Sequence, residues 1–239
     1  MTILDEPATD IAAVRQFQAA APAPDKPVVV TRRRIDKFLI AFGALAAAVF
    51  AVAGGLLTWG ANFSDDYVHD ELTSQRITMP DADTLREEGL EQYVKWADTP
   101  LDTGAKAEAY AAYIDGHLQG TGAKYAEEGG QPLTYAELGG PERAAKAAVT
   151  EATEAGAPAD EIAELQAAAD QVSADRNSLF KGETLRGLLL SAFAWSTVGQ
   201  IAGYAAIGAF VAAGLMAVLV IMGVVHYGRM THQKDVLTA

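Results

Sequence analysis

Two long stretches without a charged side chain set the limits on what this chain can become. Phe38–Ser64 has no ionisable group, and Gly187–Gly228 has no Asp, Glu, Lys or Arg and a single histidine, His226. The core of the first, FLIAFGALAAAVFAVAGGLLTWG (Phe38–Gly60), has 23 residues. As a helix it reaches roughly 34 Å, enough for a hydrocarbon layer of ~30 Å. It lacks the polar face of a buried soluble helix. Ala51-Val52-Ala53 resembles a signal-peptide cleavage site, but a polar tail precedes the run and the run continues beyond it. The expectation is an uncleaved anchor spanning residues 37–61.

The second stretch is too long for one span, since 42 helical residues reach roughly 63 Å. A hairpin would need a turn near its middle, where no Pro, Asn or Asp occurs. Composition divides it instead. GLLLSAFAWSTVGQ (Gly187–Gln200) holds Ser191, Trp195, Ser196, Thr197 and Gln200, whereas Ile201–Val225 is apolar except for Tyr204. An interfacial or juxtamembrane helix over 186–200 leading into a span over 201–226 is expected. A re-entrant hairpin is the alternative. Gln200, the strong polar group beside this span, reads as an interfacial cap or hydrogen-bonding group.

Charge sets the orientation. Arg32, Arg33, Arg34 and Lys37 precede the first span, and Arg229 and Lys234 follow the second. By the positive-inside tendency both termini are cytoplasmic. Of the net charge of −13, residues 61–190 carry −15 and the flanking segments +1 each. The acidic middle, residues 62–200, is therefore expected to be extracytoplasmic. That balance disfavours nucleic acid as a partner. The absence of cysteine excludes disulfides, thiolate metal sites and a cysteine nucleophile.

Residues 62–185 read as helical, rich in Ala, Glu, Leu and Gln with little β-branched alternation. The first span is expected to continue through Gln75 until Pro80. Thr84–Glu87 fits a capping box opening a helix through Trp96, and Ala105–Leu118 forms another. Gly120–Gly130 reads as a loop, and Thr134–Glu137 as a capping box on a short turn. Pro141 opens a helix closed by Gly156. Pro158 opens the next, with Ile162, Leu165, Ala169, Val172, Arg176 and Leu179 at near-heptad spacing, running on toward the membrane. The fold class is thus all-α, two transmembrane helices flanking an acidic helical domain. Its core is thin in large side chains, and Glu142–Asp175 is open to forming an exposed hairpin. Residues 1–36, with four prolines, read as a disordered cytoplasmic tail and 227–239 as a second tail.

Small residues recur at intervals of four. Gly43, Ala47, Ala51 and Gly55 lie in the first span; Gly199 and Gly203, then Ala205, Ala209, Ala213 and Ala217, lie in and before the second. Such stripes let helix backbones approach. They serve intramolecular pairing, homo-oligomer packing, or neither. Neither apolar core, Phe38–Gly60 or Ile201–Val225, contains Asp, Glu, Lys or Arg, which argues against an ion or proton pathway.

Chemistry is sparse. Asp66, His69 and Asp70 sit at i, i+3 and i+4, so one helical face presents three metal-type ligands. The other reading is a solvated charged stub. His117, in YAAYIDGHL, reads as a partly buried histidine bonding a carboxylate. No phosphate loop, nucleophile elbow or zinc-binding helix motif occurs. No cofactor and no catalytic residue is expected.

The segments YAAYIDGHL and TYAEL, and above all FKGETLRGLLLSAFAWSTVGQIA, resemble a group of uncharacterised actinobacterial two-span membrane proteins. In those, a helical extracytoplasmic domain ends in a GETLRGLLL-type stretch before the second span. The distinctive residues are Gly182–Leu190 and Ala194–Gln200. The resemblance implies placement in the plasma membrane, and no activity. The expectation is a non-enzymatic accessory or interaction module of the cell envelope, beside a membrane-protein partner or as a homo-oligomer within the bilayer. An extracytoplasmic ligand or divalent-ion sensor working with a partner is the alternative, and an envelope enzyme is a third.

Overall fold

The computed structural model describes residues 30–229 and the pair Val236–Leu237. Most of the expected N-terminal tail, and His232 and Lys234 in the C-terminal one, lie outside the described residues. Five α-helices follow one another: α1 (Arg32–Ser74), α2 (Ala82–Glu87), α3 (Gly104–Ala123), α4 (Gly139–Glu154) and α5 (Ala159–Arg229). A 3₁₀ turn, Glu91–Trp96, lies between α2 and α3, and the two-residue strands Val30–Thr31 and Val236–Leu237 pair antiparallel.

α1 is one unbroken helix of 43 residues, ending where Arg76 adopts a positive φ of 54°. α5 is a single helix of 71 residues. Gly187–Gln200 lies within it, continuous with Ile201–Val225 and without the turn that a re-entrant hairpin needs. With no Pro or Asn in that stretch, nothing interrupts the hydrogen-bond ladder. Both α1 and α5 are long and apolar enough to cross a membrane, with mean hydropathies of 2.3 and 2.6 over their most apolar windows.

The chain forms two compact units. In the first, which among the described residues holds α1 up to Ala48 and α5 from Gly214, the two helices run antiparallel. A Cβ on Gly43 would lie 2.9 Å from Val220 Cγ2, and one on Gly223 would lie 3.0 Å from Ile40 Cγ1. Arg33 and Lys37 lie over the ring of Tyr227, 5.4 and 5.8 Å from its centroid.

The second unit, residues 49–213, holds the helical domain. There too α1 and α5 are antiparallel. Gly54 abuts Phe210, Ala61 faces Gly203, and Ser64 faces Gly199. The Ser64 hydroxyl donates to the Trp195 carbonyl oxygen at 2.6 Å. In this unit the shielded positions of α1 include Gly54, Leu57, Ala61, Ser64 and Val68, and those of α5 include Leu189, Ala192, Ser196, Gly199, Gly203, Ala206, Ala209 and Ala213. The steps are three or four residues and average close to 3.5, the seven-residue repeat of a left-handed coiled coil. A strict four-residue stripe gains about 40° per step on a 3.6-residue helix and winds off such a seam. Accordingly Ala51, Gly55, Ala205 and Ala217 are exposed, while Gly43, Ala47, Gly199, Gly203, Ala209 and Ala213 lie on the shielded side.

The domain core is seated on this pair. Val68 and Leu72 of α1, Met79, Leu85, Leu101, three alanines of α3 and Leu189 of α5 form one buried cluster. Backbone pairing of Met79 with Thr99 and of Leu101 with Ile77, each at 2.9 Å, carries Met79 and Leu101 into it. Gly104 packs so tightly on Ser196 and Phe193 that a Cβ there would overlap the serine. A second cluster joins Leu118, Leu138 and Leu179.

Local signals explain most boundaries. α2 is capped by Asp81, whose Oδ1 accepts from the amides of Asp83 and Thr84 at 2.9 Å; Thr84 is inside the helix and not its cap. α2 then stops at Glu87, with Gly89 at φ 70°, instead of running to Trp96. α3 absorbs Gly116, Gly120 and Gly122 and extends to Ala123, so the loop begins later than its glycines suggest. Gly122 has no room for a side chain against the Leu133 backbone. At Thr134–Glu137 the reciprocal capping box forms on a turn: Thr134 N–H donates to Glu137 Oε2 at 2.8 Å and Glu137 N–H to Thr134 Oγ1 at 3.4 Å. α4 and α5 form a hairpin through Gly156, at φ 70°.

Gly199 and Gly55 separate the two spacings experimentally. A Cβ on Gly199 would lie 2.9 Å from Ser64 Cβ, whereas nothing lies within 4 Å of one on Gly55. Gly199→Leu is expected to destabilise the protein by about 1–3 kcal/mol through overpacking. Gly55→Leu should change it by less than about 0.5 kcal/mol. Thermal unfolding in detergent, followed by circular dichroism, measures both.

Candidate functional site

Asp66, His69 and Asp70 all lie on the exposed surface of α1. The His69 ring nitrogen Nδ1 sits 3.1 Å from the Asp102 carbonyl oxygen, tying α1 to the loop before α3. Among the described residues no group of three or more His, Asp or Glu side chains is placed to hold a metal ion. His117 is exposed, not partly buried; it packs against the Tyr113 ring, 4.5 Å between centroids, and its Nδ1 is 3.9 Å from Glu88 Oε1. Asp115 instead pairs with Arg186 of α5 at 3.2 Å.

The buried polar groups of the domain join helices. Asp175 accepts a hydrogen bond from the Tyr125 hydroxyl at 2.8 Å, with Lys124 alongside at 3.5 Å. Burial pushes the Tyr125 phenol up to about 12, and the bond to Asp175 adds to the rise. Glu142 of α4 binds Lys146 at 2.6 Å on its own helix, and Ser173 and Arg176 of α5, each at 2.9 Å. Arg176 also stacks over the Tyr135 ring at 4.3 Å. These bonds, that to Lys146 foremost, hold the Glu142 carboxyl down to about 2.

The surface features that stand apart from this scaffold lie on the two flanks of the α1–α5 pair, within the second unit. On one flank a groove of about 260 Å³ opens between Tyr67 and Glu71 of α1 and Leu188, Ser191 and Trp195 of α5, with Val68, Leu72 and Leu189 at its base. Its walls are mostly apolar. Leu188 and Trp195 are 65% and 53% exposed, and Val198 on the next turn 56%. Tyr67 ends an aromatic ladder in which Trp59, Phe63 and Tyr67 stack in series with centroids 5.7 and 6.1 Å apart, each at least half exposed. On the other flank a second groove, about 400 Å³, is lined by Asn62 and Asp65 of α1 and by Gln200, Gly203, Tyr204 and Ile207 of α5. Gln200 is exposed there and caps nothing.

Neither groove follows from a motif. The ladder was visible in the sequence as three aromatics at i, i+4 and i+8. The grooves depend on which α5 residues lie opposite Asn62 and Tyr67, which sequence alone does not set. No family model, curated protein or solved structure matches this chain.

The Glu142 network sets a pH dependence. Its docked carboxyl titrates near 2, against an ordinary value of 4.5. The stabilisation is complete above 4.5 and is lost as pH falls from there through 2, because the detached form takes up a proton first. Hydrogen exchange of the α4 amides should therefore accelerate on acidification through that window. Glu142→Gln should show fast exchange already at neutral pH and a flatter acid response.

Proposed function

We propose that this chain crosses a plasma membrane twice, with both termini cytoplasmic, and that its acidic helical domain is an extracytoplasmic, non-enzymatic docking module for a membrane-protein partner. The observation that carries the reading is the mismatch between the two apolar runs. On α1 the uncharged run ends at Ser64, and Asp65, Asp66, Asp70 and Glu71 follow, all exposed. Ser64 faces Gly199. The apolar segment Gly187–Val198 of α5 therefore runs beside the carboxylate-bearing part of α1, where water solvates those charges. One side of it, at Leu189, Ala192 and Ser196, is covered by the domain core. The other presents Leu188, Trp195 and Val198, which no element among the described residues covers.

Lipid accounts for the exposed large apolar groups lower down, among them Phe42, Leu45, Val211, Leu215 and Leu219. It does not account for a strip level with four carboxylates. An apolar strip beside a groove is the signature of a protein contact. The acidic surroundings, with Glu71 on the groove rim, favour a partner whose apolar helix is flanked by Lys or Arg. The basic cluster Arg32–Arg34 with Lys37 at the start of α1 and Arg229 at the end of α5 supports the orientation. Of the two histidines in the helical domain, His69 meets a backbone carbonyl and His117 a tyrosine ring, which supports the non-enzymatic reading.

Purification of the full chain in mild detergent, followed by mass spectrometry, is expected to yield a companion membrane protein in fixed proportion. The double variant Leu188→Asp, Trp195→Ala should lose it while keeping the wild-type circular dichroism spectrum. A monomer without a companion, or a companion indifferent to the double variant, would overturn the docking role. A reporter fused after Ala239 should be active only on the cytoplasmic side, and one inserted at Glu128 only on the far side; the opposite result would overturn the topology.

A further inference from the structure

The second groove differs from the first in chemistry. Asp65 is its one charged group, and Asn62, Gln200 and Tyr204 add two carboxamides and a phenol around the same opening. Among the described residues no hydrogen bond or ion pair joins any of these four side chains to another protein group. The groove is open because Gly203 projects nothing into it: a Cβ there would meet only the Ala61 Cβ, at 3.8 Å. Below it Ile207, 62% exposed, begins the continuous apolar face of α5.

The ordering of these groups along the helices is informative. Trp59, the last large aromatic of the uncharged core on α1, lies on the turn before Asn62, and Tyr204 lies on the turn of α5 that precedes Ile207. On the two-span reading, on which this inference rests, the groove stands where hydrocarbon gives way to headgroups. Exposed apolar wall therefore lies on one side of it and a carboxylate on the other. A molecule satisfying both ends has a cationic hydrogen-bond donor for Asp65, oxygen acceptors for the amide N–H groups and the Tyr204 hydroxyl, and an apolar tail along Ile207.

We propose that this groove is a binding site for a phospholipid whose headgroup carries a primary ammonium. A primary ammonium offers three N–H donors to the carboxylate and the carboxamide oxygens. A quaternary ammonium has the charge and no donor. An anionic headgroup has no cation and is repelled by Asp65. The phosphate and ester oxygens, several bonds further down, meet the Asn62 and Gln200 amide hydrogens and the Tyr204 hydroxyl. The acyl chain then follows α5.

The test is native mass spectrometry of the full chain released from nanodiscs containing equal amounts of phosphatidylethanolamine, phosphatidylcholine and phosphatidylglycerol. Selective retention of phosphatidylethanolamine is expected. Asp65→Asn should reduce that retention by about tenfold, the loss of one charge-assisted hydrogen bond. Gly203→Leu should abolish it by filling the groove, with the wild-type circular dichroism spectrum kept. Excess free phosphoethanolamine, which lacks the tail, should not displace the lipid. Equal retention of the ethanolamine and choline lipids, or retention indifferent to Asp65→Asn, would overturn the proposal. So would displacement by free phosphoethanolamine, which would mark a soluble amine as the ligand. Recovery of the protein from cells in the soluble fraction without detergent would instead overturn the two-span reading, and this site with it.

Discussion

The helical domain depends on α1 and α5 lying close enough for the Ser64 hydroxyl to reach the Trp195 carbonyl oxygen on the opposite helix. That bond, 2.6 Å long, needs glycine at 199, where a Cβ would press on Ser64. Small side chains provide the contact, so its energy comes from many close backbone and Cβ contacts instead of a few large buried groups. The same economy appears higher up, where three alanines of α3 and Gly104 fill positions that larger residues occupy in thicker cores. Bringing two long helices this close fixes where every later element sits. Leu189 and Val68, on facing sides of the pair, become the floor of the domain core.

Close approach also shapes the surface. Two helices in tight contact along a narrow seam leave a cleft on each side, and the residues at 90° to the seam decide what each cleft is made of. On α1 those residues are Tyr67 and Glu71 on one side, Asn62 and Asp65 on the other. On α5 they are Leu188 and Trp195 against Gln200 and Tyr204. One flank is thus apolar with an acidic rim, and the other polar with a single charge. The two functional proposals occupy different clefts and make independent demands. A partner helix on the first leaves the second free for lipid.

Much of this order was legible in the sequence where a local rule acts alone. The long helices, the start of α5 behind Pro158, the capping box at Thr134–Glu137 and the stop of α4 before Gly156 each follow from a few neighbouring residues. The misreadings arose where two local rules competed. Asp81 and Thr84 both qualify as helix caps, and Asp81 prevails because its carboxylate takes two amides at once. Gly120 and Gly122 signal the start of a loop over Gly120–Gly130, yet α3 keeps them and extends to Ala123, where Gly122 admits the Leu133 backbone. The four-residue stripe of small residues is real in the sequence, but the seam follows a 3.5-residue period, so Ala51 and Gly55 drift off it. The candidate grooves were not legible. They need the register that sets Ala61 against Gly203 and Ser64 against Gly199, and no single helix carries that information.

The length of the α5 apolar run raises a more general point about hydropathy. A lipid-facing leucine and a core leucine score alike, because hydrocarbon and protein interior are nearly equivalent solvents for an aliphatic side chain. Leu189 and Leu215 illustrate it: both lie in the same uncharged stretch, yet Leu189 is 3% exposed in the domain core and Leu215 is 63% exposed on the helix surface. A run twice the thickness of a bilayer therefore does not require two crossings. One helix can serve first as the floor of a water-facing domain and then as a span. What separates the two uses is the neighbour. Beside Leu189 the opposing helix carries Val68 and Leu72 on its inner side and carboxylates on its outer side, an arrangement that suits water and excludes hydrocarbon. The strip formed by Leu188, Trp195 and Val198 inherits that setting without a cover among the described residues, so the charges of α1 as much as the apolar groups of α5 make it a surface suited to a protein partner.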